Sequence, residues 1–143
     1  MGITQAVCNS FKKEVLEGIH DFESGGDAFK LALYSSAANL SAATTVYSST
    51  NEVTGTGGSY SLGGGTLASQ QTSLDGSTAI VNFANLSFTG VTLTARGALL
   101  YNDTESDKAV AVLDFGADKT ATSGTFTIQF PAFTSAAAIL RIA

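Results

Sequence analysis

From about residue 28 onward the chain repeats with a period of two residues, and this period constrains its fold more than any other feature. Phe29, Leu31 and Leu33 alternate with Lys30, Ala32 and Tyr34, as side chains do on a half-buried strand. Further strands are expected at Thr44–Tyr47, Leu67–Thr72, Thr78–Phe83, Val91–Tyr101, Ala109–Phe115, Thr125–Phe130 and Ala138–Ile142. Turn chemistry separates them at Asp75-Gly76, Thr89-Gly90, Asn102-Asp103 and Ser123-Gly124, residue types that favour tight reversals. Short strands at near-regular spacing predict a mainly β protein, an antiparallel β-sandwich or jelly-roll-like domain. No second alternation of helix with strand occurs, which argues against a doubly wound parallel sheet.

Ahead of the strands lies one helical pattern. Val7, Cys8, Phe11, Val15, Ile19 and Phe22 recur at three- and four-residue spacings, with Gln5, Asn9, Lys12, Lys13 and Glu17 on the opposite face. This periodicity predicts an N-terminal α-helix over about residues 4–20. Thr4 is the expected N-cap, and Gly18 or the Gly25-Gly26 pair the expected stop. The apolar stripe faces the core if the helix lies across a sheet, or a neighbouring subunit if it docks there; periodicity does not separate the two. The expected organisation is a single domain over residues 1–143, with the β part beginning near residue 28.

A chain of 143 residues suits one domain and buries enough surface to fold without a metal or a disulfide. Cys8 is the only cysteine, so no intrachain disulfide forms, in keeping with assembly in a reducing compartment. Charged residues make up 13% of the chain, against about 25% in ordinary domains. Such a surface suits contact with other subunits, since interface cores are depleted of charge. The net charge is −5 and the seven Lys and Arg residues are scattered, which argues against nucleic-acid binding. No apolar run of about 18 residues is present to span a membrane. Lys12, Lys13 and Glu14 interrupt the only stretch that could resemble a signal peptide, so the expected site of synthesis and folding is the cytosol.

The residues offer little catalytic chemistry. His20, the only histidine, precedes Asp21, but no nucleophile is placed to meet it. On a continuous helix Cys8 would lie about 18 Å away. No enzyme, cofactor or metal site is expected. Asp103, Glu105 and Asp107 resemble the start of a calcium loop, yet Lys108 stands where glycine is needed and Asp114 where glutamate is needed. Charge crowding in an exposed turn explains them without a cation. The N-x-S/T sequons at Asn39, Asn85 and Asn102 are expected by chance in so hydroxyl-rich a chain. Arg96, in an apolar strand, is read as a paired or interface arginine, with Asp114 as a plausible partner. The segment Gly55–Gly65 has no periodicity; it holds positive-φ turns and close backbone approaches, or it is a flexible surface excursion. Tyr47, Tyr60 and Leu62 are the candidate partner-contact residues around it.

Several runs carry a resemblance. They are Phe29-Lys30-Leu31-Ala32-Leu33-Tyr34-Ser35, Tyr47-Ser48-Ser49-Thr50-Asn51-Glu52-Val53, and Ala95-Arg96-Gly97-Ala98-Leu99-Leu100-Tyr101-Asn102. Lys108 to Gly116 and Phe126 to Pro131 add to it. Together the chain resembles a family of small virion proteins of tailed bacteriophages, in texture and strand order and not in any catalytic motif. The resemblance implies a virion part, built in the bacterial cytoplasm and carried out in the particle. Within that class the expected role is a capsid decoration or cement protein, whose partners are the major capsid protein and further copies of itself, a trimer being the expected homo-oligomer. A tail, neck or head-fibre component is the alternative, and a carbohydrate-binding β-sandwich module is a second one. The four tyrosines and the absence of tryptophan offer little for a row of sugar-stacking aromatics.

Overall fold

The computed structural model describes residues 2–54 and 57–143. In chain order the elements are β1 (Ala6–Val7), α1 (Asn9–Leu16), β2 (Phe29–Tyr34), β3 (Gly65–Thr66) and β4 (Gln71–Asp75). There follow β5 (Thr78–Asn82), β6 (Leu86–Asn102), β7 (Lys108–Ile128) and β8 (Leu140–Ile142). They form two antiparallel sheets, one five-stranded in the order β1-β7-β6-β2-β3 and one three-stranded in the order β4-β5-β8. The protein is thus a mainly β sandwich with a single short helix near its N-terminus. No described helix is long and apolar enough to cross a membrane.

The long β6–β7 hairpin is the spine. In its outer half Phe88, Val91, Leu93 and Ala95 turn inward while Ser87, Thr92 and Thr94 stay exposed, the alternation of a sheet with one wet face. From Gly97 to Asn102 every residue is buried, because β2 pairs along this half, from Phe29↔Asn102 to Tyr34↔Gly97, and both faces are covered. Thr89-Gly90 and Ser123-Gly124 are therefore not turns. They lie inside the hairpin at two successive register shifts, Thr89-Gly90 between Phe88 and Val91 and Ser123 between Val91 and Leu93, with Gly90 at φ 64° and Ser123 at φ 44°. Residue types that make a turn also make a bulge, so the strand expected at Ala109–Phe115 and the Thr125–Ile128 part of that expected at Thr125–Phe130 are two stretches of β7. Asp75-Gly76 does close a two-residue hairpin, Asp75 pairing with Thr78 and Gly76 at φ 64°.

The helix is shorter than its apolar period. Ala6 and Val7 pair with Val112 and Ala111 of β7, and the Thr4 N–H donates to the Leu40 carbonyl. Strand pairing thus claims the backbone that the helix was expected to use, and Cys8, in extended conformation, precedes its first turn in place of Thr4. Gly18, at φ 72°, ends the helix as expected. Phe11 and Phe22 face the core, their rings 5.8 Å apart edge to face. Two further expected strands differ. Thr44–Tyr47 makes only the isolated bridge Val46↔Lys108. Of Leu67–Thr72 only Gln71 and Thr72 lie in a strand, β4; β3 ends at Thr66, and Ser69, held at φ 55°, stands between the two.

Candidate functional site

The segment from Tyr47 to Gly64 is built around one buried carboxylate. Glu52, 7% exposed, sits where the chain returns antiparallel to Tyr34 at the end of β2. It accepts hydrogen bonds from the Tyr47 hydroxyl at 2.5 Å, the Tyr60 hydroxyl at 2.7 Å and the Gly63 N–H at 2.8 Å. The Tyr60 oxygen also accepts the Leu33 N–H at 2.9 Å, and the Tyr101 hydroxyl donates to the Gly63 carbonyl at 2.6 Å. Burial pushes these phenols above the ordinary tyrosine range; the Glu52 carboxylate adds to that at Tyr47 and Tyr60. A buried charge is tolerated only when so fully hydrogen-bonded, so this cluster spends its polar groups on holding the loop.

Glycine serves that loop by close approach. A Cβ on Gly64 (φ 80°) would lie 1.8 Å from the Leu31 carbonyl oxygen, and one on Gly58 (φ 70°) 2.4 Å from that of Thr89. From residue 57 on, the segment is seated on β2 and β6 and is not an excursion; Gly55 and Thr56 lie outside the described residues. This changes the expected contact residues. Tyr60 is 6% exposed, its ring against Phe88 at 4.8 Å, which makes it a core anchor and removes it from any contact surface. Tyr47 is half-buried and stacks on Tyr101 at 4.7 Å. Leu62, 59% exposed, alone of the three projects freely.

The other singled-out residues are engaged internally. His20 donates from Nε2 to Glu14 at 2.9 Å, and its Nδ1 accepts from Asn102 at 3.0 Å, so neither ring nitrogen is free to serve Cys8. Cys8 is buried, and burial pushes its thiol up to about 11, far from a reactive thiolate. Asp103, Glu105 and Asp107 lie in or beside the β6–β7 turn; among the described residues no group of three metal-ligating side chains converges. Burial and then the neighbouring Asp103 raise Asp107 above the usual carboxylate range. Arg96 does meet Asp114, Nε to Oδ1 at 3.1 Å, across β6 and β7. The Gly116 N–H and then the guanidinium hold Asp114 below the usual range.

Two concavities stand out among the described residues. A groove of about 830 Å³ runs between α1 and the three-stranded sheet, floored by Phe11, Phe22, Ile80 and Leu140. Leu16, 89% exposed, and Ile142, 63% exposed, stand among its lining residues. A second, of about 550 Å³, lies against β7. Neither was legible as a site, because each joins segments distant in sequence, α1 with β5 and β8 in the first and β7 with Gln5 and Ile139 in the second. Glu52 was also missed; its one signal is a lone carboxylate beside Val53 in a stretch almost free of charge. Compared with protein-family models, with curated proteins and with solved structures, the chain shows no match.

Proposed function

We propose that the chain is a non-enzymatic virion structural protein of a tailed bacteriophage, a capsid decoration or cement protein acting as a homo-oligomer, in the first instance a trimer. The observation that carries the reading is the apolar groove beside α1, with Leu16 and Ile142 almost uncovered. Exposed apolar surface of this kind marks a protein contact, and a surface as poor in charge as this one suits it. The candidate groups for catalysis are consumed in internal hydrogen bonds, as at Glu52 and His20. Tyr34, Tyr60 and Tyr101 are buried, which leaves no exposed row of tyrosines for a carbohydrate module.

The mechanism is mass action. A protein that binds only the assembled lattice stabilises that lattice by its binding free energy, and a symmetric oligomer spans several capsid subunits at once. The test is light scattering of the purified protein, alone and mixed with capsids assembled without it. A trimer that binds the shells and raises their disruption temperature supports the proposal. A species that ignores capsids overturns it and moves the reading to the tail, the neck or outside the virion.

A further inference from the structure

The two sheets end on four outer strands of unequal length. β1 and β3 have two residues each, β8 has three and β4 has five. β4 pairs with β5 in unbroken register from Gln71↔Asn82 to Asp75↔Thr78, and among the described residues nothing pairs with its other side. All five of its residues are exposed, Leu74 at 72%. Asp75 and Thr78 flank a two-residue turn and so exchange both main-chain bonds, as do Ser73 with Ile80 and Gln71 with Asn82. The N–H and C=O groups of Thr72 and Leu74 therefore point away from β5, into the open. Edges of this kind are commonly guarded by lysine, proline or a bulge, and β4 has none of them. Its single charge, Asp75, stands at the end of the strand, where Oδ2 accepts the Ser135 N–H. Just ahead of the strand the Gln70 side chain donates to the Glu23 carbonyl at 2.9 Å, so both ends are held while the middle is bare.

We infer that β4 pairs antiparallel with the β4 of a second copy of this chain, about a two-fold axis at Ser73. Ser73 then faces the partner's Ser73 as a non-hydrogen-bonded pair, and the pairs on either side of it are hydrogen-bonded. Thr72 exchanges N–H···O bonds with the partner's Leu74, and Leu74 does so with the partner's Thr72, which satisfies every outward group of the strand. Gln71 falls opposite the partner's Asp75, an amide beside a carboxylate, and no like charges meet. Leu74 shares a sheet face with Ala79 and Ile142 by their register, and the added strand takes it from water. A second copy fits this edge better than a loose peptide, because its strand arrives already ordered, whereas a peptide must be ordered for only four hydrogen bonds. Pairing β4 with another copy's β8 would leave an edge free at each step and grow an open sheet; the two-fold uses the edge once and closes. The contact goes beyond the capsid reading and does not rest on it. A two-fold axis cannot close a trimer, so it joins two such oligomers or two single chains.

The test uses the purified full chain without shells. Sedimentation should show reversible pairing that grows with concentration up to millimolar, and amide exchange at Thr72 and Leu74 should slow in step. Ser73→Cys sets two Cα atoms about 4.5 Å apart across the axis, within disulfide reach. Mild oxidation should therefore link this variant in pairs, and Cys8, being buried, does not compete. Gln71→Cys, whose two copies lie about 14 Å apart along the strands, should stay unlinked. Leu74→Lys, on an exposed side chain, should weaken pairing at least about tenfold by placing ammonium groups on both strands, at an unchanged urea midpoint. The inference is overturned by a single chain at millimolar concentration, by equal linking of the two cysteine variants, or by pairing that Leu74→Lys leaves intact. A trimer in which the Thr72 and Leu74 amides exchange freely also overturns it, and leaves the capsid reading standing.

Discussion

The side-chain amide of Asn102 donates to His20 Nδ1 at 3.0 Å and to Asp27 Oδ2 at 2.9 Å. Its oxygen meanwhile accepts the N–H groups of Thr104 and Glu105. These two acceptances fix which end of the amide faces the imidazole, and so fix the His20 proton on Nε2, toward Glu14. One fully buried side chain thus ties together the loop after α1, the start of β2 and the β6–β7 turn. Asn102→Ala orphans two backbone donors and one ring acceptor, and the expected loss is about 2–4 kcal/mol. Urea unfolding at unchanged m-value measures it. A loss below about 1 kcal/mol, the worth of a single ordinary hydrogen bond, would show that solvent replaces the network readily.

The tyrosines around Glu52 make stability depend on alkaline pH. Tyr34, Tyr47, Tyr60 and Tyr101 all lie above the ordinary range, with burial as the first cause at each. An unfolded tyrosine ionises near about pH 10, whereas these keep their protons in the fold. Above that pH the unfolded state binds fewer protons, so stability falls as pH rises; below it this contribution is fully present. Each phenol that stays protonated steepens the fall by up to about 1.4 kcal/mol per pH unit. Phenolate absorbance should therefore appear together with cooperative unfolding. A gradual rise while circular dichroism stays native would refute the assignment.

Close approach and left-handed backbone conformation are separable at two glycines. Gly64 and Gly76 both have positive φ, but a Cβ on Gly64 meets the Leu31 carbonyl whereas one on Gly76 meets open space. Gly76→Ala should cost about 1–2 kcal/mol, the strain of an L-residue in that region. Gly64→Ala must also push the loop off β2, and its expected cost exceeds about 3 kcal/mol. Thermal unfolding of the two variants decides it, and equal costs would mean that the loop has room to move.

These cases show how far the chain was legible in advance. The strand alternation, the Asp75-Gly76 hairpin and the Arg96–Asp114 pair follow from local pattern or charge chemistry. The Thr89-Gly90 and Ser123-Gly124 bulges look identical to turns until Val91 is paired with Gly124. The helix lost its first residues because β7 offered Ala6 and Val7 a sheet edge, a long-range contact that no period reveals. Tyr60 reads as a contact residue because its glycine neighbours look loose, until Glu52, in the same segment, accepts from its hydroxyl and its ring packs on Phe88 of β6.

Helix α1 separates folding from binding on two of its residues, Phe11 and Leu16. Phe11 is 7% exposed, its ring 4.8 Å from that of His20, and Phe11→Ala should destabilise the isolated protein by about 3–5 kcal/mol, as loss of a core phenylalanine does. Leu16 stands 89% exposed on the same helix, so Leu16→Lys removes little packing. A lysine also suits the helix C-terminus, and the expected change in stability is within about 0.5 kcal/mol. If the groove is the surface that meets the capsid, Leu16→Lys and Ile142→Lys keep the native unfolding midpoint yet lose binding to shells, because each places a charge in an apolar contact. Sedimentation of each variant with empty shells, beside its urea midpoint, gives the two readouts. Variants that bind as tightly as the native protein would place the contact elsewhere, with exposed Leu62 the next residue to substitute.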